Sequence, residues 1–461
     1  MLFSSPEFIF LFLPTTLFVY FFLSRQSNFI YAKIWLLFAS LFFYAYWHPA
    51  NVLIIILSAL FNFYASRLLY KSKSKVLLVA GIIINLGVLG YYKYADFFLE
   101  NINALVDEPF PLLHIALPLG ISFFTFQQIA FLVDAFSRKV QNFSFADYCL
   151  FVTFFPQLIA GPIVHHSEMM PQFSNPINQK VNLNNITLGL FVFNMGLAKK
   201  LIIADSLSNV VAQGYNHADK LSVMQAWVTS IFYSMQLYFD FSGYSDMAIG
   251  LGLLFNIHIP INFNSPYKAE NIQEFWRRWH ITLSTFLRDY VYIPMGGSKH
   301  GEWKTYRNLI YTFLIGGIWH GAGWTFIIWG GLHGLALAWH RFFSKFKVQV
   351  PKFGAVVITF LFVNITWVFF RADGWQTAIN LLLSMIGLNK SIGTSVVLMN
   401  DFYSLPIWIA AVILLFGKNT NQIARNFNFN NSYGWKLMAL IILNLIYLNS
   451  TISQEFLYFD F

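Results

Sequence analysis

Apolar runs of membrane-spanning length recur along almost the whole chain. A helix needs about 20 mostly apolar residues to cross a bilayer, and several of these runs reach that length only with their flanks. Inside a bilayer no water binds the backbone polar groups, so such segments must be helices or a closed barrel. The runs are continuously apolar rather than alternating, which favours helices. The clearest are Phe8–Leu23, Ile30–Trp47, Val52–Leu69, Val76–Leu89, Trp227–Leu237, Trp324–Ala338, Val356–Phe370 and Leu437–Leu448.

The composition agrees with a membrane protein. Of the 461 residues, 57% are hydrophobic and 11% are charged, whereas soluble domains carry about 25% charged residues. A single cysteine, Cys149, excludes an internal disulfide and a cysteine-based metal site. The net charge of +9 is explained by basic cytoplasmic loops, so we expect membrane lipids rather than nucleic acid as a partner. We predict one all-α polytopic membrane domain over residues 1–461, with about 11–13 transmembrane or re-entrant helices.

The distribution of Lys and Arg predicts the orientation, because basic loops stay in the cytoplasm. The loops "SRQSN" and "KSKSK" are basic, and "HPAN" between them has no Lys or Arg, which places the N-terminus outside. The stretch "GKNTNQIARNFNFNNSYGWK" is basic without an acid, and one apolar run follows it. We therefore predict that residues 449–461 form an extracytoplasmic tail and that both termini are extracytoplasmic.

Charged residues concentrate in the middle of the chain, and we predict that residues 268–300 form a re-entrant or interfacial cytoplasmic segment. On a helix from Asn271 to Tyr290, Phe275, Trp279 and Phe286 share part of one face. One interpretation is an amphipathic surface helix. The other is a basic collar for a phosphate-bearing donor, because Arg binds phosphate through two N–H groups. The residues assigned to donor binding are Trp276, Arg277, Arg278, Trp279 and Arg288.

His320 lies in "GGIWHGAGW", an apolar stretch rich in Gly and Trp. An ionisable residue within the membrane is a functional hypothesis by default. Three interpretations are open: a packed structural histidine, a residue lining a transport path, or a catalytic base. The surrounding glycines fit either close helix packing or a narrow substrate path.

Other chemistry is weakly indicated. Among the histidines only the adjacent His165 and His166, in a polar loop, resemble a ligand pair, and we predict no metal site. No phosphate-binding Gly-Lys-Ser/Thr loop is present. Asp240 and Asp246 are predicted to pair helices or to form a gate rather than an acid–base pair.

Two motifs then point to a family. "NFNSPYKAENIQEFWRRWHITLSTFLRDYVYIPMGGS" and "GGIWHGAGWTFIIWGGLHG" resemble the membrane-bound O-acyltransferases, in particular the bacterial alginate O-acetylation branch. The resemblance implies a ring of tilted helices around a central funnel, with the hallmark histidine at His320 and the second motif histidine at His280. The residues expected to line the tunnel are Trp319, Trp324, Asp240 and Asp246.

The resemblance also implies the reaction. An acyl group, with acetyl-CoA as the expected donor and no tightly bound cofactor, would pass from the cytoplasm to an extracytoplasmic polysaccharide, which is either an alginate-type exopolysaccharide or peptidoglycan. A separate extracytoplasmic partner of the SGNH-hydrolase type would modify the sugar, and the bacterial inner membrane is the expected location.

The ending "FLYFDF" is similar to the ending of the small companion protein in D-alanylation systems. It predicts that Tyr458 relays the acyl group with His320 as its base; the alternative is that the aromatic residues only anchor the tail at the interface. Three other functions remain open: D-alanyl transfer to a cell-wall polymer, transport, and a non-catalytic assembly role.

Overall fold

The computed structural model describes residues 1–26, 28–140, 144–389, 412–413, 417–425, 427, 431–450 and 456–457, and these residues contain helices and no strand. Every apolar run named above falls on a helix, so the predicted all-α polytopic fold is confirmed. The helices are Leu13–Ser24 (α1), Ile30–Ala45 (α2), Pro49–Ser72 (α3), Lys75–Asn103 (α4), Ile121–Phe136 (α5), Phe145–Thr153 (α6), Phe155–Leu158 (α7), His166–Phe173 (α8), Leu183–Ala198 (α9), Asp205–Asn216 (α10), Val223–Leu254 (α11), Ile272–Arg278 (α12), Ile281–Leu287 (α13), Glu302–His320 (α14), Trp324–Phe343 (α15), Lys352–Arg371 (α16), Trp375–Met385 (α17), Thr420–Arg425 (α18) and Asn431–Ser450 (α19). Short π-helical turns cover Phe8–Phe12, Lys199–Ala204 and Arg288–Tyr292, and 3-10 turns cover Pro176–Gln179, Pro266–Lys268 and Ser344–Phe346.

Within the described part of the chain, four helical stretches are long and apolar enough to cross a membrane. They are Pro49–Ser72, Lys75–Asn103, Leu183–Asn216 and Lys352–Arg371. Shorter apolar helices cover Phe8–Ser24, Ile30–Ala45, Ile121–Phe136 and Tyr433–Leu448. The number of membrane segments, the ring of helices and the single domain stay predictions.

The chain forms two compact units. The first contains Met1–Asn194, Ser245–Pro260 and Phe427–Ala439, and the second contains Met195–Tyr244, Ile261–Asn426 and Leu440–Phe461. Both histidine motifs belong to the second unit, and so do Phe456 and Leu457 of the tail.

Three amide side chains bind one another inside the first unit, and this amide cluster joins α3, α4 and α5. Asn62 on α3 donates from Nδ2 to Gln128 Oε1 on α5 at 2.6 Å. Asn85 on α4 donates to Asn62 Oδ1 at 2.8 Å. All three side chains are buried, and each buried amide gains the hydrogen bonds that an apolar surrounding cannot offer.

In the second unit, α14 and α15 pack closely along a row of glycines. A Cβ on Gly317 would lie 2.4 Å from the carbonyl oxygen of Phe326, and one on Gly330 would lie 2.3 Å from that of Phe313. A Cβ on Gly334 would lie 2.8 Å from Ile310 Cα. These glycines therefore serve close packing of two helices, which is one of the two explanations left open by the sequence.

The prediction of a single helix from Asn271 to Tyr290 is wrong. The segment forms α12 and α13, with a break at Trp279 and His280. The break is stabilised by a distant stretch of chain: Asn264 N–H donates to the Arg278 carbonyl at 2.9 Å, and Ile281 N–H donates to the Asn262 carbonyl at 3.0 Å. The predicted apolar face survives, since Phe275, Trp279 and Phe286 are all buried.

Candidate active site

His320 is the last residue of α14 and is 3% exposed. Its imidazole is surrounded by aromatic rings, with centroids of Trp319 and Trp329 each at 4.9 Å and that of Phe370 at 5.2 Å. α14 ends at His320, and the backbone is extended at Gly321 and at Gly323 before α15 begins at Trp324. The histidine is thus held by a rigid helix end inside an aromatic enclosure.

His280 occupies the break between α12 and α13, where its φ of 41° lies in the left-handed region. Non-glycine residues rarely adopt this conformation, and a strained residue held in place by its surroundings indicates a functional position. The side chain is completely buried. Its Nδ1 lies 3.1 Å from Asn262 Oδ1.

The contacts of Asn262 determine which nitrogen of His280 carries the proton. Asn262 Oδ1 accepts hydrogen bonds from the Thr282 N–H at 3.2 Å and from Thr282 Oγ1 at 2.9 Å. This atom is therefore the amide oxygen, and His280 Nδ1 must be the donor to it. In the neutral imidazole, the lone pair is then on Nε2.

The structure brings the two motif histidines together. Their ring centroids are 6.5 Å apart at an interplanar angle of 62°. This separation exceeds a direct hydrogen bond between two ring nitrogens.

The C-terminal tail contacts the second unit at a site formed by Asp240, Phe241 and Tyr244, which we call the tail site. Phe456 is 1% exposed; its ring stacks on Tyr244 at 4.6 Å and contacts Phe241 at 5.6 Å. Leu457 N–H donates to Asp240 Oδ2 at 3.0 Å.

The tail site adjoins the histidine pair and includes a buried ion cluster. Phe241 meets the His280 ring edge-on at 4.8 Å. Lys200 Nζ lies 2.8 Å from one oxygen of Asp205 and 2.8 Å from one oxygen of Asp240. One lysine thus compensates two buried carboxylates, and the tail N–H supplies a further donor to Asp240. Tyr458 lies outside the described residues, so its predicted role stays a prediction.

The arginines assigned to donor binding differ in their surroundings. Arg278 binds Glu274 at 3.0 and 2.6 Å through two nitrogens, and Arg288 binds Asp289 at 2.7 and 2.9 Å. Arg277 and Arg288 are exposed. Burial opposes ionisation of Glu274, but the Glu270 N–H and the Arg278 guanidinium outweigh it, and the pKa of this carboxyl lies below its usual value.

The predicted tryptophans fall into two groups. Trp276, Trp279 and Trp319 are buried, and Trp276 donates its indole N–H to His333 Nδ1 at 3.2 Å. Trp324 is 58% exposed. Asp246 is buried in the first unit. The donor-binding and tunnel-lining roles of these residues stay predictions.

The family model described as MBOAT, membrane-bound O-acyltransferase family, matches residues 107–373. A peptidoglycan O-acetyltransferase of Helicobacter pylori is 45% identical over 514 aligned positions, which cover 100% of this chain and 98% of that protein. The chain belongs to the membrane-bound O-acyltransferase family. It is therefore an acyltransferase and a multi-pass membrane protein.

Other relatives of this MBOAT chain act on other polymers. A probable alginate O-acetylase of Pseudomonas aeruginosa is 41% identical over 82% of this chain and 73% of its own length. A teichoic acid D-alanyltransferase of Streptococcus thermophilus is 27% identical over 51% of this chain and 59% of its own length.

Several residues of this MBOAT site were not singled out from the sequence. Asn262 orients His280 from 18 positions away, and Lys200 compensates Asp240 from another helix; neither contact has a local sequence signal. Trp329 is one of 14 tryptophans, and only the fold places it against His320. The Gly-Gly sequence that follows it, next to the histidine motif, is the signal that could have marked it.

Proposed function

We propose that this chain transfers an acetyl group from cytoplasmic acetyl-CoA toward an extracytoplasmic polysaccharide, with peptidoglycan as the final acceptor. The observation that carries the proposal is the convergence of two buried histidines beside the site that binds the C-terminal tail. Peptidoglycan is favoured over alginate because similarity to the H. pylori protein extends over both whole chains, whereas the alginate relative covers 82% of this one.

The first chemical step is transfer to the Tyr458 hydroxyl. A phenol with a pKa near 10 is a weak nucleophile at neutral pH and needs a base. His320 accepts the phenolic proton while the oxygen attacks the thioester carbonyl carbon. The C–S bond then breaks, and the protonated His320 gives its proton to the departing thiolate, which leaves as free CoA. General-base assistance of this kind contributes about 10²–10⁴-fold to the rate.

The position of the tail supports Tyr458 as the acceptor. Phe456 and Leu457 are bound at the tail site, and Phe241 of that site contacts the His280 ring. Tyr458 is the next residue of the chain, and we propose that this short tether gives its hydroxyl a high effective concentration at the histidines. His280, oriented by Asn262, offers a second acceptor for the same hydroxyl.

The negative oxygen of the tetrahedral intermediate needs hydrogen-bond donors. Trp329 is 1% exposed, and among the described residues its indole N–H meets no acceptor. A buried donor without an acceptor costs free energy and calls for an explanation. Because its ring lies 4.9 Å from His320, we assign the Trp329 N–H to this oxygen. Of the two tryptophans expected from the resemblance to line the tunnel, Trp319 and Trp324, the second is largely exposed.

The acetyl group leaves Tyr458 in a second step, in which a hydroxyl of a partner protein attacks the aryl ester and the tyrosine hydroxyl is restored. We propose an SGNH-hydrolase-like transferase for this partner, because the chain has no Ser-His-Asp arrangement in its sequence motifs. In the proposed orientation the protein lies in the inner membrane with both termini outside, so the tail is on the same side as the partner. Arg277 and Arg288, both exposed, are the proposed contacts to the donor phosphates.

The test is peptide mass spectrometry of the purified full-length protein after exposure to acetyl-CoA. We expect an acetyl group on Tyr458 in the wild type and none in His320→Ala or Tyr458→Phe. His340→Ala is a matched control, since this histidine lies at the far end of α15. If wild-type Tyr458 stays unmodified while the partner is still acetylated, the relay is wrong and His320 activates the partner's hydroxyl directly.

A further inference from the structure

Two histidines and an aspartate converge in the first unit, whereas the histidine pair of the proposed reaction belongs to the second. Asp134 lies in the last turn of α5, His165 caps the start of α8, and His166 is the first residue of α8. One ligand atom from each residue lies within 4.8 Å of the others. The sequence alone predicts no metal site, because Asp134 is 31 residues from the histidine pair and only the fold brings it there.

The distances fit a small cation. Asp134 Oδ2 lies 2.8 Å from His165 Nε2 and 3.2 Å from His166 Nε2. Ligand atoms 2.0–2.1 Å from a tetrahedral zinc are about 3.3 Å apart, so these two carboxylate–imidazole distances need only a small expansion to coordinate one. Both imidazoles point their Nε2 atoms at one carboxylate oxygen, and their ring centroids are 4.3 Å apart.

The surroundings provide the outer contacts that ligating histidines require. Ser167 Oγ lies 2.6 Å from His165 Nδ1, and the Ser167 N–H donates to the same nitrogen at 3.3 Å. Nδ1 is therefore an acceptor in the structure, and binding of a metal at Nε2 requires the other tautomer, in which Ser167 Oγ accepts the Nδ1–H. Such a contact fixes the tautomer and the ring orientation of a ligand. Phe131 packs edge-on against His166 at 5.3 Å. The Asp134 and His166 side chains are 2% and 6% exposed, and that of His165 is 36% exposed, which leaves a route for an ion.

One competing contact of Asp134 is a weak ion pair. Lys139 Nζ lies 3.6 Å from Asp134 Oδ1, the oxygen that the histidines do not contact, and its side chain is 71% exposed. An ion pair with one largely exposed partner contributes little to stability, and the Lys139 side chain rotates away into solvent at a small cost in free energy. This ion pair therefore does little to oppose the binding of a cation at Asp134.

We propose that Asp134, His165 and His166 form a zinc site. Two imidazoles and one carboxylate are a ligand set that zinc accepts, with water as the fourth ligand, whereas Mg²⁺ and Ca²⁺ prefer oxygen ligands alone. The ion joins the end of α5 to the start of α8, and its role is to stabilise this part of the first unit. The site is independent of the proposed acetyl transfer.

The experiment is a zinc titration of the full-length protein in detergent, purified with an affinity tag that contains no histidine and stripped with a chelator. Binding is measured by competition with a chromophoric chelator, and bound metal is measured after desalting. We expect one zinc per chain in the wild type and in His258→Gln, which replaces an exposed histidine of the same unit. Asp134→Asn and His166→Gln remove a ligand and abolish this binding, and Ser167→Ala weakens it about 10- to 100-fold.

Helical circular dichroism and gel filtration identify variants that fail to fold. His165→Gln, at the more exposed position, supplies a second ligand variant if Asp134→Asn is lost. Zinc should raise the thermal midpoint of the wild type and leave that of the ligand variants unchanged. Equal retention of zinc by the wild type and Asp134→Asn, or no stoichiometric zinc in the wild type, would show that the three side chains form a hydrogen-bonded cluster only.

Discussion

Phe456 is the apolar anchor of the tail, and its replacement tests whether tail binding controls the relay. The ring is 1% exposed and contacts Tyr244 and Phe241. Truncating a buried Phe to Ala typically costs about 3–5 kcal/mol. If about 3 kcal/mol of that loss falls on tail binding, the bound fraction of a marginally bound tail falls about 100-fold, at about 1.4 kcal/mol per factor of ten.

The assay is the initial rate of acetyl labelling of Tyr458 in the purified Phe456→Ala protein. Phe456→Leu retains most of the apolar volume and should stay within about tenfold of the wild type. Phe353→Ala removes a phenylalanine ring that is 82% exposed and should leave the rate unchanged. Labelling of Phe456→Ala within about twofold of the wild type would refute the idea that the tail site positions Tyr458.

Three further outcomes follow from the structure. Trp329→Phe removes the indole N–H, together with part of the ring volume, and should lower single-turnover acetyl transfer about 10²–10³-fold without unfolding the protein; an unchanged rate would exclude this donor. Gly330→Ala should lower the thermal midpoint, because its Cβ would meet a carbonyl oxygen at 2.3 Å, whereas Gly331→Ala meets its nearest atom at 3.5 Å and should not. Glu274→Gln should be less stable than the wild type at pH 7, and the difference should shrink as the pH falls through the lowered pKa of Glu274; a difference that is the same at pH 7 and at about pH 2, roughly two units below the usual carboxylate pKa, would contradict the ion-pair explanation.

The sequence was sufficient for the features that depend on local pattern. Continuous apolar runs predicted the helices, and the cost of an ionisable residue in an apolar segment drew attention to His320. The sequence was not sufficient where the structure depends on contacts between residues far apart in the chain. The periodicity of Asn271–Tyr290 predicted one helix, but backbone and side-chain bonds to Asn262 favour a break at His280.

The same limit explains why the sequence did not predict the proposed metal site. A loop with two adjacent histidines is a weak signal, and the carboxylate that completes it lies near the end of an apolar helix. Nothing in the sequence around Asp134 distinguishes it from an aspartate that ends a membrane segment. Only the packing of α5 against the start of α8 supplies the third ligand.

The amide cluster of Asn62, Asn85 and Gln128 has a consequence for how the chain enters a bilayer. Asn62 and Asn85 each donate to a backbone carbonyl of their own helix, but α3 alone or α4 alone would insert with the amide oxygen unsatisfied, which is costly in lipid. Because Asn85 binds Asn62 directly, the two helices offset this cost when they enter together as a hairpin. Gln128 then binds Asn62 when α5 arrives, so the order of insertion follows the order of the chain, and each helix supplies a hydrogen-bonding partner for the one before it.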